Sequence, residues 1–145
     1  LAVPEAMNLQ AAGSLAELPA EAQETLNRAI QFVFGTQHSK QVEDWYDRHL
    51  PDHHVIAQCR SFESAIGMVR AGLGVCLAPA LSAVSGEMPV DGVSLYAVDT
   101  PPRRVVALIS SQYRRLEPYA TLLDSLEEAG RRFVLPAPLE TSIFD

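Results

Sequence analysis

Ser61-Phe-Glu-Ser-Ala-Ile-Gly-Met-Val-Arg-Ala-Gly-Leu-Gly-Val-Cys-Leu-Ala-Pro79 is the most informative run in the chain. Ser61 is placed to cap a helix, with Glu63 in the first turn, where a carboxylate interacts favourably with the amide dipoles. Phe62, Ala65, Ile66 and Val69 recur at helical spacing and mark a buried stripe. Gly72 and Gly74 end the helix at positions free of a Cβ penalty. Val75 to Ala78 then reads as a short strand, and Pro79 turns the chain.

Upstream, His54 to Cys59 alternates and contains Val55 and Ile56, so it reads as a strand delivered directly to Ser61. Before it, Val42, Trp45, Tyr46 and Leu50 fall on one helical face over Lys40 to Leu50, with Ser39 as cap and Pro51 as stop. Gly35 to Ser39 is expected as a loop after a strand at Ala29 to Phe34, whose unbroken apolar and aromatic content fits cover on both faces. A short helix is expected at Ser14 to Leu18, closed by Pro19.

Downstream of Pro79, a short segment over Leu81 to Val84 and a loop with Gly86, Pro89, Asp91 and Gly92 lead to an expected strand at Val93 to Val98. Asp99 to Pro102 turns the chain into a further strand at Val105 to Ser110. The last helix, opened by Pro118, carries the stripe Tyr119, Leu122, Leu123, Leu126, Ala129 and Phe133, with Arg131 and Arg132 at the pole that favours cations. From Leu135 the chain is expected to be a flexible tail. Strands alternating with helices give an α/β class with a mostly parallel sheet flanked by helices.

The chain has 145 residues, 48% of them apolar, enough for a real core and incompatible with a disordered or collagen-like chain. Eleven basic against 18 acidic residues leave a net charge of −7, a poor match for a phosphate backbone. No apolar run approaches a membrane span and no signal peptide opens the chain, so a cytoplasmic location is expected. Cys59 and Cys76 both lie in apolar segments and read as small core residues.

The segment Val69 to Pro79 resembles the signature stretch of the effector-binding domain of LysR-type transcriptional regulators, a helix ending Val-x-Ala-Gly-Leu-Gly followed by an apolar strand and a proline. The order of elements from Leu1 to Phe133 agrees with that likeness. The resemblance implies one lobe of a type 2 periplasmic-binding-protein-like domain over 1–134, namely the second lobe, a return crossover strand and a terminal helix that packs on the first lobe, with 135–145 as tail. It implies a small-molecule effector, homodimers or homotetramers with the helices at 41 to 50 or 62 to 71 as dimer candidates, and DNA contact only through an N-terminal winged helix-turn-helix outside this chain. With half the cleft absent, the chain alone is expected to bind effector weakly. No cofactor, metal or membrane partner is implied.

In an open parallel sheet, ligands bind beyond the carboxyl ends of the strands. Three stretches stand there in this arrangement. Thr36, Gln37 and His38 offer a hydroxyl, an amide and an imidazole. Ser61 and Phe62 open a helix whose free N–H groups suit an anion. Pro79 supplies an apolar wall. Together they suit a small anionic or aromatic metabolite, although Ser61 is first of all a cap, Phe62 first of all a core residue and His38 by default solvated.

Other readings are weaker. His49, His53 and His54 with Asp52 have metal-ligand chemistry, but Pro51 breaks the turn that would align them, so a solvated loop is expected. Arg103-Arg104 and Arg114-Arg115 are short basic pairs of a solvated surface. A solute-binding lobe is one rival, and a small α/β enzyme using Ser61 or a cysteine the other. No Gly-x-Ser-x-Gly or cysteine-protease signature supports the latter.

Overall fold

A computed structural model describes residues 1–33, 35–85, 88–101, 106 and 108–144, with the side chains of 36–38 and 88–89 outside that description. The chain divides into two compact units, residues 1–100 with 136–145, and residues 101–135.

In the first unit the strands are β1 (Ala2–Pro4), β2 (Arg28–Phe32), β3 (His54–Cys59), β4 (Val84–Ser85), β5 (Met88–Pro89) and β6 (Val93–Leu95). The helices are α1 (Ala20–Leu26), α2 (Thr36–His49) and α3 (Phe62–Arg70). β2 and β3 pair in parallel, with a register shift between Ala29 and Ile30, while β1 and β6 pair antiparallel. Val75 and Cys76 join the two ladders. Val75 exchanges backbone bonds with β2, through Ile30 N to Val75 O at 2.8 Å and Val75 N to Arg28 O at 2.9 Å. Cys76 does the same with β1, through Ala2 N to Cys76 O at 2.8 Å and Cys76 N to Ala2 O at 3.0 Å. Successive strand residues point their amides to opposite sides, so two residues suffice to bridge two strands.

The lateral order is therefore β3, β2, Val75–Cys76, β1, β6 and then Leu139, which pairs in parallel beside Tyr96. Only β1 runs against the rest. Side chains alternate between two layers. Val3, Ala29 and Val75 join Leu26 of α1 and Val42, Trp45 and Tyr46 of α2 on one face. Ala2, Ile30 and Cys76 join Ala65, Ile66 and Val69 of α3 on the other. Helices on both faces confirm the α/β class, with one antiparallel strand set into a mostly parallel sheet.

Close packing explains one glycine. A Cβ on Gly74 would lie 2.2 Å from the Arg28 carbonyl oxygen, so the approach of Val75 to β2 requires glycine there. Gly74 thus serves a strand contact and not the helix end, which Gly72 forms at φ 74°.

Several expectations need correction. Thr36, Gln37 and His38 are not loop but the first turn of α2. Ser39 is no cap, since its hydroxyl donates to the Gly35 carbonyl one turn back at 3.0 Å, and Gly35 itself takes the N-cap position at φ 66°. The strand at 75–78 shrinks to its two bridging residues, and the short helix expected at 14–18 is a 3-10 turn over Leu15–Glu17. Of the strand expected over 105–110, Val105 and Ala107 lie outside the described residues, as do Phe34, Gly86, Arg103 and Arg104, and residues 106 and 108–110 carry no strand. The closing segment is not a free tail: Leu139 N donates to Leu95 O at 2.7 Å, Thr141 Oγ1 donates to Leu9 O at 3.2 Å, and Ile143 is buried.

The second unit holds α4 (Tyr119–Arg132), preceded by a 3-10 turn at Tyr113–Arg115. Glu117 accepts from Thr121 Oγ1 at 2.6 Å at its start, and Arg131 and Arg132 pair with Glu127 and Glu128 at its end.

Candidate functional site

β2, β3 and the Val75–Cys76 segment all point the same way, so their carboxyl ends share one edge of the sheet. From β2 the chain passes outward through α2 to β3 and returns through α3 to the other side of β2. That reversal makes the end of β2 the switch point at which two loops diverge and leave a crevice. The loops at this edge are Val33 to Gly35, Arg60 to Ser61 and Leu77 to Pro79. All three sequence-derived groups stand there: Thr36, Gln37 and His38 at the start of α2, Ser61 and Phe62 at the start of α3, and Pro79 after the bridging segment.

Ser61 is an N-cap in fact. Its Oγ accepts from Ser64 N at 3.2 Å and contacts Ser64 Oγ at 3.1 Å. These bonds are those of a helix cap. Glu63 beside it is exposed, and its own backbone N–H with the Ser61 hydroxyl holds its carboxyl below the usual range. The positive pole of α3 therefore already has a resident carboxylate, and an anionic ligand would compete with it.

Phe62 is half-buried and stacked on Phe32, the last residue of β2, with ring centroids 3.9 Å apart and planes tilted by 28°. Sequence reasoning missed Phe32. The signal was its position as the final residue of an apolar strand facing the edge, but only the register of β2 on β3 and the placement of α3 bring it to Phe62. The structure thus joins Ser61, Phe62 and Phe32 directly, and brings Thr36, Gln37, His38 and Pro79 to the same edge through their backbones.

An open hollow of about 730 Å³ lies beside the start of α2, lined by Val33, Gly35, Lys40, Glu43, Asp44 and Asp47. Three carboxylates against one ammonium make it a poor seat for an anion. Among the described residues no group of three His, Cys, Asp or Glu side chains is placed to hold a metal ion. The histidines expected in a solvated loop mostly pack instead: His49 lies on Trp45 with centroids 4.9 Å apart, His53 stacks on Tyr46 at 5.0 Å, and only His54 is exposed. Cys76 is buried, which pushes its thiol up to about 12 and makes it a poor nucleophile.

A family model described as LysR substrate binding domain matches residues 5–131. The chain belongs to the LysR substrate binding domain family. No curated protein and no solved structure gives a significant match. Members of the LysR family are transcription regulators, and the type 2 periplasmic-binding-protein-like fold of this domain agrees with the observed α/β sheet. No helix among the described residues is long and apolar enough to cross a membrane.

Proposed function

We propose that this chain senses a small metabolite at the carboxyl edge of its sheet for a LysR-type regulator, and that it acts by binding and not by catalysis. The carrying observation is the convergence at one edge of the starts of α2 and α3 and of Pro79, where the loops that follow the parallel strands β2, β3 and Val75–Cys76 diverge. In the two-lobed arrangement of the family a second lobe faces this edge with the effector between the lobes, and residues 1–134 then supply one lobe, the return strand and the last helix.

In this reading Thr36, Gln37, His38, Ser61, Phe62 and Pro79 line the effector side, with Phe32 backing Phe62. The effector shifts the population of lobe arrangements by its differential affinity, and homo-oligomer contacts carry that bias to a DNA-binding segment elsewhere in the cytoplasmic regulator. Titration with benzoate at millimolar concentration, read by amide chemical shifts, tests the site. Shifts confined to residues 35–38, 60–63 and 77–78 are expected, with weak affinity. Shifts centred on Glu43 and Asp47, or none at any of these amides, would overturn the assignment.

A further inference from the structure

Residues 136–145 return to the first unit, and the residues matched by the family model end at 131, so the family likeness does not account for this closing segment. Among the described residues, three hydrogen bonds to other segments hold it. Leu139 N donates to Leu95 O at 2.7 Å, Ala97 N donates to Leu139 O at 2.8 Å, and Thr141 Oγ1 donates to Leu9 O at 3.2 Å. Ile143 joins the core cluster of Trp45 and Tyr46. Phe144 stands edge-on to Trp45, with centroids 5.2 Å apart and planes at 66°, and to His49 at 6.1 Å and 83°. Trp45 Nε1 and His49 Nε2 are both buried without a hydrogen-bond partner among the described residues. These two atoms belong to the rings on which Phe144 rests. A polar atom left dry and unpaired opposes the contact that covers it.

We propose that residues 136–145 are a releasable clasp, which lifts off the first unit as a piece while the sheet beneath stays folded. Residues 101–135 leave the first unit beyond Ala97 and return to it before Leu139, so the bond from Ala97 N to Leu139 O ties the outgoing and incoming chain together. With the clasp shut, residues 101–135 are held to the first unit at both ends; with it open, at one. Opening breaks three hydrogen bonds and withdraws Ile143 and Phe144, but it restores conformational freedom to the segment and water to Trp45 Nε1 and His49 Nε2. What stays behind keeps its own hold. β6 remains paired with β1 from Val93 to Leu95, and Tyr96 remains bonded to Leu1 through Tyr96 N to Leu1 O at 2.8 Å and to Leu9 N through its hydroxyl at 3.0 Å. A segment whose departure leaves its neighbours bonded opens at a lower free energy than the whole unit. The clasp thereby sets how freely residues 101–135 move on their connection.

The clasp does not rest on the effector reading, and its test involves no ligand. Native-state hydrogen exchange of the full 145-residue chain reads it through the amides of Leu139, Ala97, Ile30 and Val75. Leu139 and Ala97 lose their bonds when the clasp opens, whereas Ile30 and Val75, bonded to Val75 O and Arg28 O, lose theirs only with the sheet. Protection at Leu139 and Ala97 should be equal and about 100-fold below that at Ile30 and Val75. Phe144→Ala should lower it about tenfold further, with no change at Ile30 and Val75. His49→Phe keeps a ring under Phe144 and removes one orphaned nitrogen, so it should raise that protection about tenfold. Equal protection at all these amides, a Phe144→Ala loss shared by Ile30 and Val75, or no gain from His49→Phe would overturn the clasp.

Discussion

α2 and α4 are each 14 residues long and amphipathic, yet they stand in opposite situations. On α2, Val42, Trp45 and Tyr46 are all at or below 5% exposure, pressed on β1, β2 and the Val75–Cys76 segment. On α4 the same kind of stripe is in solvent. A helical pattern states that an apolar face exists, and it does not state what covers it. For α2 the cover comes from within its own unit, from Val3, Ala29 and Val75 of the sheet and from Phe144 on Trp45. Residues 101–135 contain no buried residue among those described, so the stability of α4 rests on its capping and its i,i+4 ion pairs, worth only tenths of a kcal/mol each.

Substitution of glycine separates the two units most sharply. Gly74→Ala drives a Cβ into the Arg28 carbonyl and should cost about 3 kcal/mol or more, because backbone on both sides must give way. Gly130→Ala meets nothing within 4 Å and should strengthen α4 by about 0.5–1 kcal/mol, the ordinary gain of alanine over glycine inside a helix. Urea unfolding followed by Trp45 fluorescence reads the first, and helicity by circular dichroism the second. A Gly74→Ala variant as stable as the parent would mean that Val75 does not hold β2 as described.

Alkaline pH should weaken the first unit through groups its core has swallowed. Burial holds the Cys76 thiol at about 12 against an ordinary value of 9. Burial likewise pushes the Tyr46 hydroxyl, which donates to Val75 O at 3.4 Å, far above its ordinary range. The folded chain keeps both protons where the unfolded chain has lost them. The stability they contribute is therefore complete below about pH 9 and fades as pH rises towards 12, with Cys76 alone costing about 2 kcal/mol near pH 10.5. The urea midpoint should fall accordingly between pH 8 and pH 10.5, and the Cys76→Ala, Tyr46→Phe double variant should show a much flatter profile. An equally steep fall in that variant would place the alkaline sensitivity elsewhere.

What the sequence made legible follows the range of the interaction. β2, β3, α3 and the Ser61 cap were readable because a strand run, a helical stripe and a cap bond are fixed within a few residues. The start of α2 was misread because Ser39 has the chemistry of a cap, while the glycine that takes that position, Gly35, offers no side chain to recognise. The Phe32–Phe62 stack and the seat of Leu139 beside β6 depend on pairing between distant segments, which no local pattern encodes. At the candidate site the edge was therefore predictable and its aromatic floor was not. The exposed face of α4 was visible as a stripe, but its lack of cover was not.

Helix capping gives the smallest and most discriminating contrast. Ser61 caps α3 through Ser64 N, and α3 is locked into the sheet by Ala65, Ile66 and Val69. Ser61→Ala should lower the stability of the first unit by about 1 kcal/mol as one cooperative loss, because fraying α3 uncovers the layer over Ile30 and Cys76. Glu117 plays the corresponding part for α4, accepting from Thr121 Oγ1 and Thr121 N. Among the described residues none of α4 is buried, so Glu117→Ala should reduce helicity by a fraction of that amount and leave the urea midpoint reported by Trp45 unmoved. If Glu117→Ala shifted that midpoint as far as Ser61→Ala does, the two units would unfold as one, and the division between them would fail.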